Sequence, residues 1–348
     1  MRRALELAAR GRGRVHPNPM VGAVVVKGGR VIAEGWHERF GGPHAEAMAI
    51  GRLKKIPAGA KLYVTLEPCG HTGKKTPPCA GLILKSGIRN VVVAARDPNP
   101  LVNGRGIRRL RRAGVKVTEG VLEREARELN RDFEYWVRHR RPYVTAKIAQ
   151  SLDGRLIARP GERWVTGRDA RRLAHRMRAA SDAILVGVKT VIRDNPLLSV
   201  RLPGTKLAPL KVVLDSRLRT PPRARIFGKA SPGPVLLAVT SKAPRAARRR
   251  FGGRAEVLEV RQKGGRVDLA ALLEELAGRG VVHVLIEGGA EVMSDALSRG
   301  LVQEVCFFIA PRLIGGEAPR VHFLKETLNV KDPRIISAGK DWLVRGRL

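Results

Sequence analysis

Three side chains in the first quarter of the chain have types and spacing that suit a metal ion. His44, Cys69 and Cys79 each follow a proline, and nine residues separate the two cysteines. One imidazole and two thiolates leave a bound zinc ion with an open fourth position, as in catalytic rather than structural sites. A water in that position has a pKa near ~7, and a nearby carboxylate that is not a ligand can carry its proton. The sequence therefore predicts a zinc site with Glu46 as its catalytic acid and base.

The surrounding pattern would place these ligands at the ends of secondary-structure elements. The apolar residues of 45–53 predict a buried helix with the histidine in its first turn. Residues 61–66 predict a strand that ends just before Cys69. A helix predicted over 79–86 would favour a thiolate at its first residue through its dipole. The alternative is a buried core histidine with two inert thiols, but the combined pattern favours zinc.

The order H-x-E, P-C and P-P-C resembles that of the zinc-dependent cytidine and nucleobase deaminases. Most of these keep two residues between the cysteines, whereas the longer loop here, with P-C-x-H and T-P-P-C, is similar to that of the riboflavin-pathway pyrimidine deaminases. Four further stretches carry the same resemblance: 16–22 (HPNPMVG), 35–37 (GWH), 97–100 (DPNP) and 103–106 (NGRG).

This resemblance implies roles for four residues outside the metal site. Asn18 would hydrogen-bond the pyrimidine, although a simple turn is the alternative for this proline-flanked residue. His71 and either Lys74 or Lys75 would lie near the base and the ribose phosphate. Both lysines stay open because the loop carries one more residue than expected.

The length and charge of the chain restrict its fold and function less tightly than the motifs do. A chain of 348 residues exceeds the usual size of a single core, so two domains are expected. Lysine and arginine total 67 against 31 acidic residues, a net charge of +36, which could give non-specific affinity for nucleic acid. Aromatic residues are only 4% and do not interleave with the basic clusters, so no stacking platform for single strands is visible. Solvated helix faces are the simpler explanation of most clusters.

The sequence contains no apolar run long enough for a membrane span and no signal-peptide core after Arg2-Arg3. Once two cysteines are assigned to the metal, Cys306 has no partner for a disulfide, which fits a reducing cytoplasm. We also expect a homo-oligomer.

The first domain is predicted as a three-layer α/β fold. A glycine-dependent hairpin over 22–33 precedes the metal site, and strands are predicted at 90–95 and 115–118 around a helix at 106–113. A single amphipathic helix is predicted over 121–136. The basic run before Pro142 then predicts the boundary between domains 1–141 and 142–348.

The second domain is predicted to contain a parallel-rich sheet covered by helices. Strands are expected within 142–154, 182–187, 211–214, 235–240, 257–260, 281–286 and 304–309, with a helix at 167–180. No G-x-G-x-x-G follows a strand, so an ordinary Rossmann site is not supported. A glycine pair at 288–289, between a strand and a helix start, would let backbone N–H groups approach a pyrophosphate.

From Pro142 onward the chain resembles the riboflavin-pathway reductases, which have a dihydrofolate-reductase-like fold and use NADPH. The matching stretches include 147–154, 164–166, 182–187, 194–196, 215–216 and 287–289. The resemblance implies an NADPH site at Ala149, Trp164, Thr190, Asp194, Ser216 and the turn from Gly289 to Asp295, and substrate contacts at Arg178, Leu198, Arg201 and Glu287. Arg178 could alternatively lie on a solvated helix face. The family's substrate-contacting serine before Trp164 is missing, because that stretch is shorter here.

Together the two resemblances imply a bifunctional enzyme of riboflavin biosynthesis. The first domain would deaminate a phosphoribosylated diaminopyrimidine with zinc, and the second would reduce the ribosyl chain to ribityl with NADPH. The alternatives are an RNA-directed deaminase with a basic accessory domain and a non-enzymatic basic protein on a decayed deaminase scaffold.

Overall fold

The computed structural model describes residues 1–70, 78–156, 162, 164–316 and 327–348. The chain divides into two compact units, Met1–Arg140 and Arg141–Leu348. Within the described residues, no helix has the length and apolar character needed to cross a bilayer. His71, Lys74 and Lys75 lie outside the described residues.

The first unit contains a five-stranded sheet in the order β2-β1-β3-β4-β5. The pairs β1–β2 and β1–β3 are antiparallel, and β3, β4 and β5 run parallel. In chain order the elements are α1 (Arg2–Ala9), β1 (Gly22–Lys27), β2 (Arg30–Trp36), α2 (Ala45–Gly51), β3 (Lys61–Leu66), α3 (Cys79–Lys85), β4 (Asn90–Ala95), α4 (Arg105–Arg112), β5 (Lys116–Glu119), α5 (Glu123–Leu129) and α6 (Arg131–His139).

Alternate residues of β1 face different helices. Val24 clusters with Ala4 and Leu7 of α1, whereas Val25 clusters with Ala49 of α2. Because successive strand residues point to opposite faces of a sheet, helices cover both faces. The predicted three-layer arrangement is confirmed.

The single helix predicted over 121–136 is wrong, because Asn130 separates α5 from α6. The Asn130 side chain accepts a hydrogen bond from the backbone N–H of Met20 at 2.7 Å and donates one to the Met20 carbonyl at 2.9 Å. These partners lie 110 positions away in the chain, so the amphipathic pattern of the helix could not reveal the break.

The second unit contains a nine-stranded sheet in the order β10-β9-β8-β7-β13-β6-β14-β16-β15. The first seven strands in this order pair in parallel, and the last two pair antiparallel. In chain order the elements are β6 (Tyr143–Ser151), α7 (Arg168–Ala180), β7 (Ala183–Gly187), α8 (Val188–Asp194), β8 (Leu210–Leu214), β9 (Val235–Val239), α9 (Arg245–Arg248), β10 (Glu256–Glu259), β11 (Gln262–Lys263), β12 (Arg266–Val267), α10 (Leu269–Gly278), β13 (His283–Glu287), α11 (Ala290–Ser298), β14 (Glu304–Ala310), β15 (Lys331–Ala338) and β16 (Asp341–Arg347).

Every residue of β7 and of β9 is buried, as expected for parallel strands covered on both faces. Because both faces are buried, the sequences of these strands are continuously apolar, and such runs predict strands from the sequence alone. The edge strand β15 was not predicted, because all but its last residue are exposed and it begins with charged residues and a proline. The parallel strands bring the loops after β6, β7, β8, β9 and β13 to one edge of the sheet.

Candidate active sites

The predicted metal ligands meet at one point of the first unit. His44 is the N-cap residue of α2, Cys69 follows β3, and Cys79 is the first residue of α3. The ligand atoms lie within 4.8 Å of one another. The Nδ1 atom of His44 is 3.1 Å from the Cys79 sulfur and 3.7 Å from the Cys69 sulfur. One imidazole nitrogen and two sulfurs at this separation fit a zinc ion.

The two thiols differ in acidity because one donates to the other. A hydrogen bond from the Cys79 thiol, with a further one from His44, lowers the pKa of Cys69 to about 4 although burial opposes the shift. The backbone N–H of Cys79 also donates to the Cys69 sulfur at 3.3 Å. Donation to Cys69 and burial raise the pKa of Cys79. Cys69 is therefore a thiolate at neutral pH, and Cys79 releases a proton when a metal binds.

Glu46 lies in the first turn of α2 with only 3% of its surface exposed. Burial raises the pKa of its carboxyl group, although the charge of His44 opposes the shift. The carboxyl group is within hydrogen-bond reach of the Cys79 sulfur, so it lies beside the predicted metal ligands. A buried carboxyl with a raised pKa can hold and deliver a proton at neutral pH.

Asn18 is connected to the metal site through His37. The Nδ1 atom of His37 donates to the carbonyl of Pro43 at 2.9 Å, and its Nε2 atom therefore accepts from the amide Nδ2 of Asn18 at 3.1 Å. The rings of His37 and His44 are 5.6 Å apart. Sequence reasoning noted the G-W-H stretch but assigned no role to His37, which is 2% exposed.

Glu67 holds the segment that leads to Cys69. Its buried carboxylate accepts hydrogen bonds from the backbone N–H groups of Gly104, Gly106 and Ile107, at 2.7, 3.0 and 3.2 Å. A Cβ atom on Gly106 would lie 1.8 Å from the carbonyl oxygen of Pro68. Glycine at position 106 is thus required by the close approach of its backbone to the segment that leads to Cys69.

The second unit contains a cavity of about 1630 Å³ at the carboxyl edge of its parallel strands. This volume and position suit a dinucleotide with a second small molecule. All ten of the predicted cofactor and substrate residues of this unit line it: Ala149, Trp164, Arg178, Thr190, Asp194, Leu198, Arg201, Ser216, Glu287 and Gly289.

One end of the cavity contains a buried ion pair. The guanidinium of Arg178 donates to both carboxylate oxygens of Glu287, at 2.6 and 2.8 Å. Burial alone would raise the pKa of Glu287, but the charges of Arg178 and Lys147 lower it to about 2. The side chain of Arg178 is only 14% exposed, so the solvated-face alternative is wrong.

Lys147 also belongs to this end of the cavity, although sequence reasoning assigned it no role. Its Nζ atom lies 3.9 Å from Glu287 and 5.7 Å from the ring centroid of Phe308. Burial lowers the pKa of Lys147, while Glu287 opposes the shift. The available signal was its place in the 147–154 stretch that carries the resemblance.

A glycine turn begins α11 beside this pair. Gly288 and Gly289 both have φ of +85°, a region that favours glycine. A Cβ atom on Gly288 would lie 3.4 Å from the Thr190 side chain, so the positive φ rather than a lack of space disfavours a larger residue there. The turn lets backbone N–H groups at a helix start face an anion, which fits the pyrophosphate of a dinucleotide.

The fold and sites define a class of protein: a zinc-type deaminase domain followed by a domain built to hold a dinucleotide. The family model "Cytidine and deoxycytidylate deaminase zinc-binding region" matches residues 1–95, and the model "RibD C-terminal domain" matches residues 142–344. The chain is 40% identical to riboflavin biosynthesis protein RibD of Aquifex aeolicus, over 99% of this chain and 96% of that protein. It is 39% identical to the Escherichia coli RibD, over 91% of this chain and 88% of that protein.

A solved structure from Thermotoga maritima, described as a diaminohydroxyphosphoribosylaminopyrimidine deaminase and 5-amino-6-(5-phosphoribosylamino)uracil reductase, superposes with a TM-score of 0.87. It is 37% identical and covers 100% of this chain and 97% of that chain. The chain belongs to the RibD family of riboflavin biosynthesis proteins. The fold and family predicted from the sequence are confirmed.

Proposed function

We propose that the chain catalyses two consecutive steps of riboflavin biosynthesis. The first unit deaminates 2,5-diamino-6-(5-phosphoribosylamino)pyrimidin-4-one by hydrolysis, and the second reduces the ribosyl chain of the product to ribityl with NADPH. Family membership and the description of the Thermotoga maritima relative support both steps. The observation that supports the deamination step most strongly is the cluster of His44, Cys69 and Cys79 beside the buried Glu46.

In the deaminase unit, His44, Cys69 and Cys79 would hold zinc, which when bound would supply a nucleophilic water at neutral pH. Glu46 would hold and move one proton at its carboxyl group, from the attacking water to the leaving amino group, so that overall one water is consumed and one ammonia is released. Its raised pKa supports this role, because it makes the carboxylate a stronger base for the water proton that it then passes on. Asn18 binds the pyrimidine edge: it donates its amide N–H to His37 and keeps its carbonyl oxygen to accept from an N–H of the ring.

His71 and Lys74 or Lys75 are proposed contacts to the base and the ribose phosphate. They lie outside the described residues, so this assignment rests on the resemblance alone. Either lysine would supply a positive charge for the phosphate.

In the reductase unit, NADPH supplies a hydride when bound. The turn at 288–289 and the start of α11 bind its pyrophosphate, and Arg201 binds the phosphate of the substrate. The pair of Arg178 and Glu287 offers one donor group and one acceptor group to the sugar hydroxyls. The remaining assignments are Ala149, Trp164, Thr190, Asp194, Ser216 and Gly289 for the cofactor and Leu198 for the substrate.

We also propose domain limits of 1–141 and 142–348. Support comes from the compact unit that ends at Arg140 and from the family match that begins at residue 142. Homo-oligomerisation, a cytoplasmic location and non-specific nucleic-acid affinity stay predictions. An RNA-directed deaminase is not supported, because the second unit matches the RibD C-terminal domain. A decayed scaffold is disfavoured by the complete ligand cluster.

The test is incubation of the purified chain with the phosphorylated diaminopyrimidine and NADPH, with ammonia release and nicotinamide oxidation followed separately. We expect one ammonia per substrate, then oxidation of NADPH. Ammonia without oxidation would remove the reductase assignment, and oxidation only with separately deaminated substrate would remove the deaminase assignment.

A further inference from the structure

The helix α4 of the first unit carries five arginines among its eight residues. Four of them share one face of the helix, because their spacing is i, i+3, i+4 and i+7. All four are exposed, and we call them the arginine row: Arg105, Arg108, Arg109 and Arg112. The fifth, Arg111, lies off this face and pairs with Glu119 at 2.8 Å.

The arginine row has no acidic neighbours in sequence. Residues 98–118 contain no aspartate or glutamate. Among the described residues, no carboxylate forms an ion pair with any member of the row. Arg109 donates to the backbone carbonyl of Gly70 at 3.4 Å, which is a neutral acceptor. The positive charge of this face is therefore not balanced by a carboxylate of the described chain.

This arrangement opposes the stability of the helix that carries it. Like charges three and four residues apart repel one another on a helix surface. The helix dipole favours the arginines of the last turn, but it disfavours Arg105 and Arg108 near the first turn, which contains no acidic residue. An anion bound along the row would relieve both effects.

The basic composition of the chain does not by itself explain the unpaired row. On the next two helices, α5 and α6, arginines alternate with acidic residues. Arg127 pairs with Glu123 at 2.8 Å and with Glu134 at 2.9 Å, and Arg131 pairs with Glu128 at 2.8 Å. Exposed helices of the same unit thus neutralise their arginines, whereas this face of α4 does not.

Two further cations extend the row beyond the end of α4. The guanidinium of Arg89 donates to the carbonyl of Ala113, the C-cap residue of α4, at 3.3 Å. The backbone N–H of Lys116 donates to the carbonyl of Arg89 at 2.9 Å, and both side chains are exposed. Residues 78–118 contain no aromatic side chain and no histidine. The surface is therefore basic but offers no ring on which a nucleic-acid base could stack.

We propose that the arginine row, extended by Arg89 and Lys116, binds the phosphate backbone of a nucleic-acid duplex without reading its bases. From Arg105 to Arg112 the helix rises about 10 Å, and the grooves of B-DNA are about 6 and 12 Å wide, so the row can reach phosphates on both sides of a groove. Guanidinium groups match phosphate oxygens with paired N–H donors. The lack of aromatic side chains favours a duplex over a single strand, whose bases need stacking partners.

The test compares the triple variant Arg105→Gln/Arg108→Gln/Arg112→Gln with a matched control, Arg2→Gln/Arg30→Gln/Arg124→Gln. The control removes the same charge from exposed arginines that lie on three different elements of the first unit. Glutamine has nearly the helix propensity of arginine, so α4 is retained. Fluorescence anisotropy measures the binding of short DNA and RNA duplexes of two unrelated sequences, and of the corresponding single strands, over a series of salt concentrations.

We expect the wild-type chain to bind both duplex types with a Kd of about 10⁻⁶ to 10⁻⁴ M at physiological salt, the range of non-specific binding. The triple variant should bind about tenfold or more weakly, and the slope of log K against log salt should become shallower by about 2 to 3. The control should change the affinity less than about threefold, because charges away from the contact are screened. The triple variant should unfold at the same Tm as the wild type or higher, since repulsion within α4 is removed.

Several outcomes would overturn the proposal. Absence of duplex binding by the wild-type chain would do so, as would equal losses in the two variants, which would assign binding to net charge alone. A preference for one duplex sequence or for single strands would contradict backbone recognition of a duplex. Equally tight binding of poly-glutamate, lost in the same variant, would assign the row to an acidic protein instead.

Two further measurements separate this surface from the fold and from the deaminase site. A raised KM for ammonia release in the triple variant, with unchanged duplex binding, would assign the row to the small phosphorylated substrate and overturn the proposal. A lower Tm in the triple variant, with unchanged duplex binding, would assign the row to the stability of the fold and overturn it as well.

Discussion

Each unit buries one glutamate at its candidate site, and the pKa values of the two carboxyl groups are shifted in opposite directions. Glu46 is 3% exposed and Glu287 is 7% exposed, so the cost of burying charge is similar. Burial dominates at Glu46 and raises its pKa, whereas the charges of Arg178 and Lys147 lower the pKa of Glu287 to about 2. The degree of burial does not separate the two carboxyl groups. A cation that donates to both carboxylate oxygens decides whether a buried carboxyl group can transfer protons or can only bind and orient a ligand.

The sites also differ in how the chain assembles them. His44 and Cys79 are 35 positions apart and lie at the starts of two helices that pack beside β3. Arg178 and Glu287 are 109 positions apart, on α7 and at the end of β13. The first site depends on short motifs at element ends, and the second depends on the strand order of the sheet.

The largest expected effect comes from Glu46→Gln, which keeps the shape of the carboxyl group but removes its titration. Ammonia release should fall about 10²- to 10⁴-fold, the usual contribution of a general acid–base group. Zinc content, measured by atomic absorption, should stay unchanged because Glu46 is not a ligand. The exposed Glu38→Gln is the matched control. Retained deamination in the Glu46 variant would contradict its proton-transfer role.

Arg178→Met tests the other glutamate, because it leaves the charge of Glu287 buried without its bidentate partner. Removing one member of a buried pair costs about 3–5 kcal/mol of the free energy of unfolding. Urea unfolding should show this loss for Arg178→Met but not for Arg176→Met, an exposed residue of the same helix. A loss below about 1 kcal/mol, the range of exposed pairs, would show that Glu287 is not held charged by Arg178.

Arg201→Ala should raise the KM for the reductase substrate about tenfold, because an exposed guanidinium facing a phosphate contributes binding. Its effect on kcat should be smaller, since Arg201 is assigned to binding. Arg223→Ala removes an exposed arginine that does not line the cavity and serves as the control. An unchanged KM in the Arg201 variant would remove this residue from the phosphate site.

The smallest expected effect concerns Lys211, a fully buried lysine of β8 that touches neither glutamate. Its ammonium donates to the Ser231 hydroxyl at 2.8 Å and to the Pro232 carbonyl at 3.0 Å, and burial lowers its pKa to about 8 from 10.5. Between these pH values the unfolded chain binds more protons, so this group makes the free energy of unfolding rise with pH.

Chemical unfolding of the wild type and of Lys211→Met across this range would isolate the contribution. The difference between the two stability curves should have a positive slope from about pH 8 upward. A flat difference would mean that Lys211 titrates as if it were exposed. In that case burial by itself would not set the pKa of Lys211, and the raised pKa of Glu46 would need a cause other than burial.

Some failures of sequence reasoning have the same origin. The break between α5 and α6 follows from bonds between Asn130 and Met20, and the role of His37 follows from its two partners, Asn18 and Pro43. The partner that the local sequence pattern could not reveal is Met20 for Asn130, 110 positions away, and Asn18 for His37, 19 positions away. The edge strand β15 was missed for a different reason: an exposed strand carries no alternating apolar pattern.

The sequence by itself indicated the cluster of His44, Cys69 and Cys79 with Glu46 beside it, most strands and the division of the chain into two units. Residue type dictates which side chains can bind zinc, and apolar periodicity dictates which segments are buried. Only the tertiary structure decided the opposite pKa shifts of the two glutamates and the pairing of Arg178 with Glu287. These depend on distances between side chains from different strands and helices, and electrostatic energies change steeply with such distances and with burial.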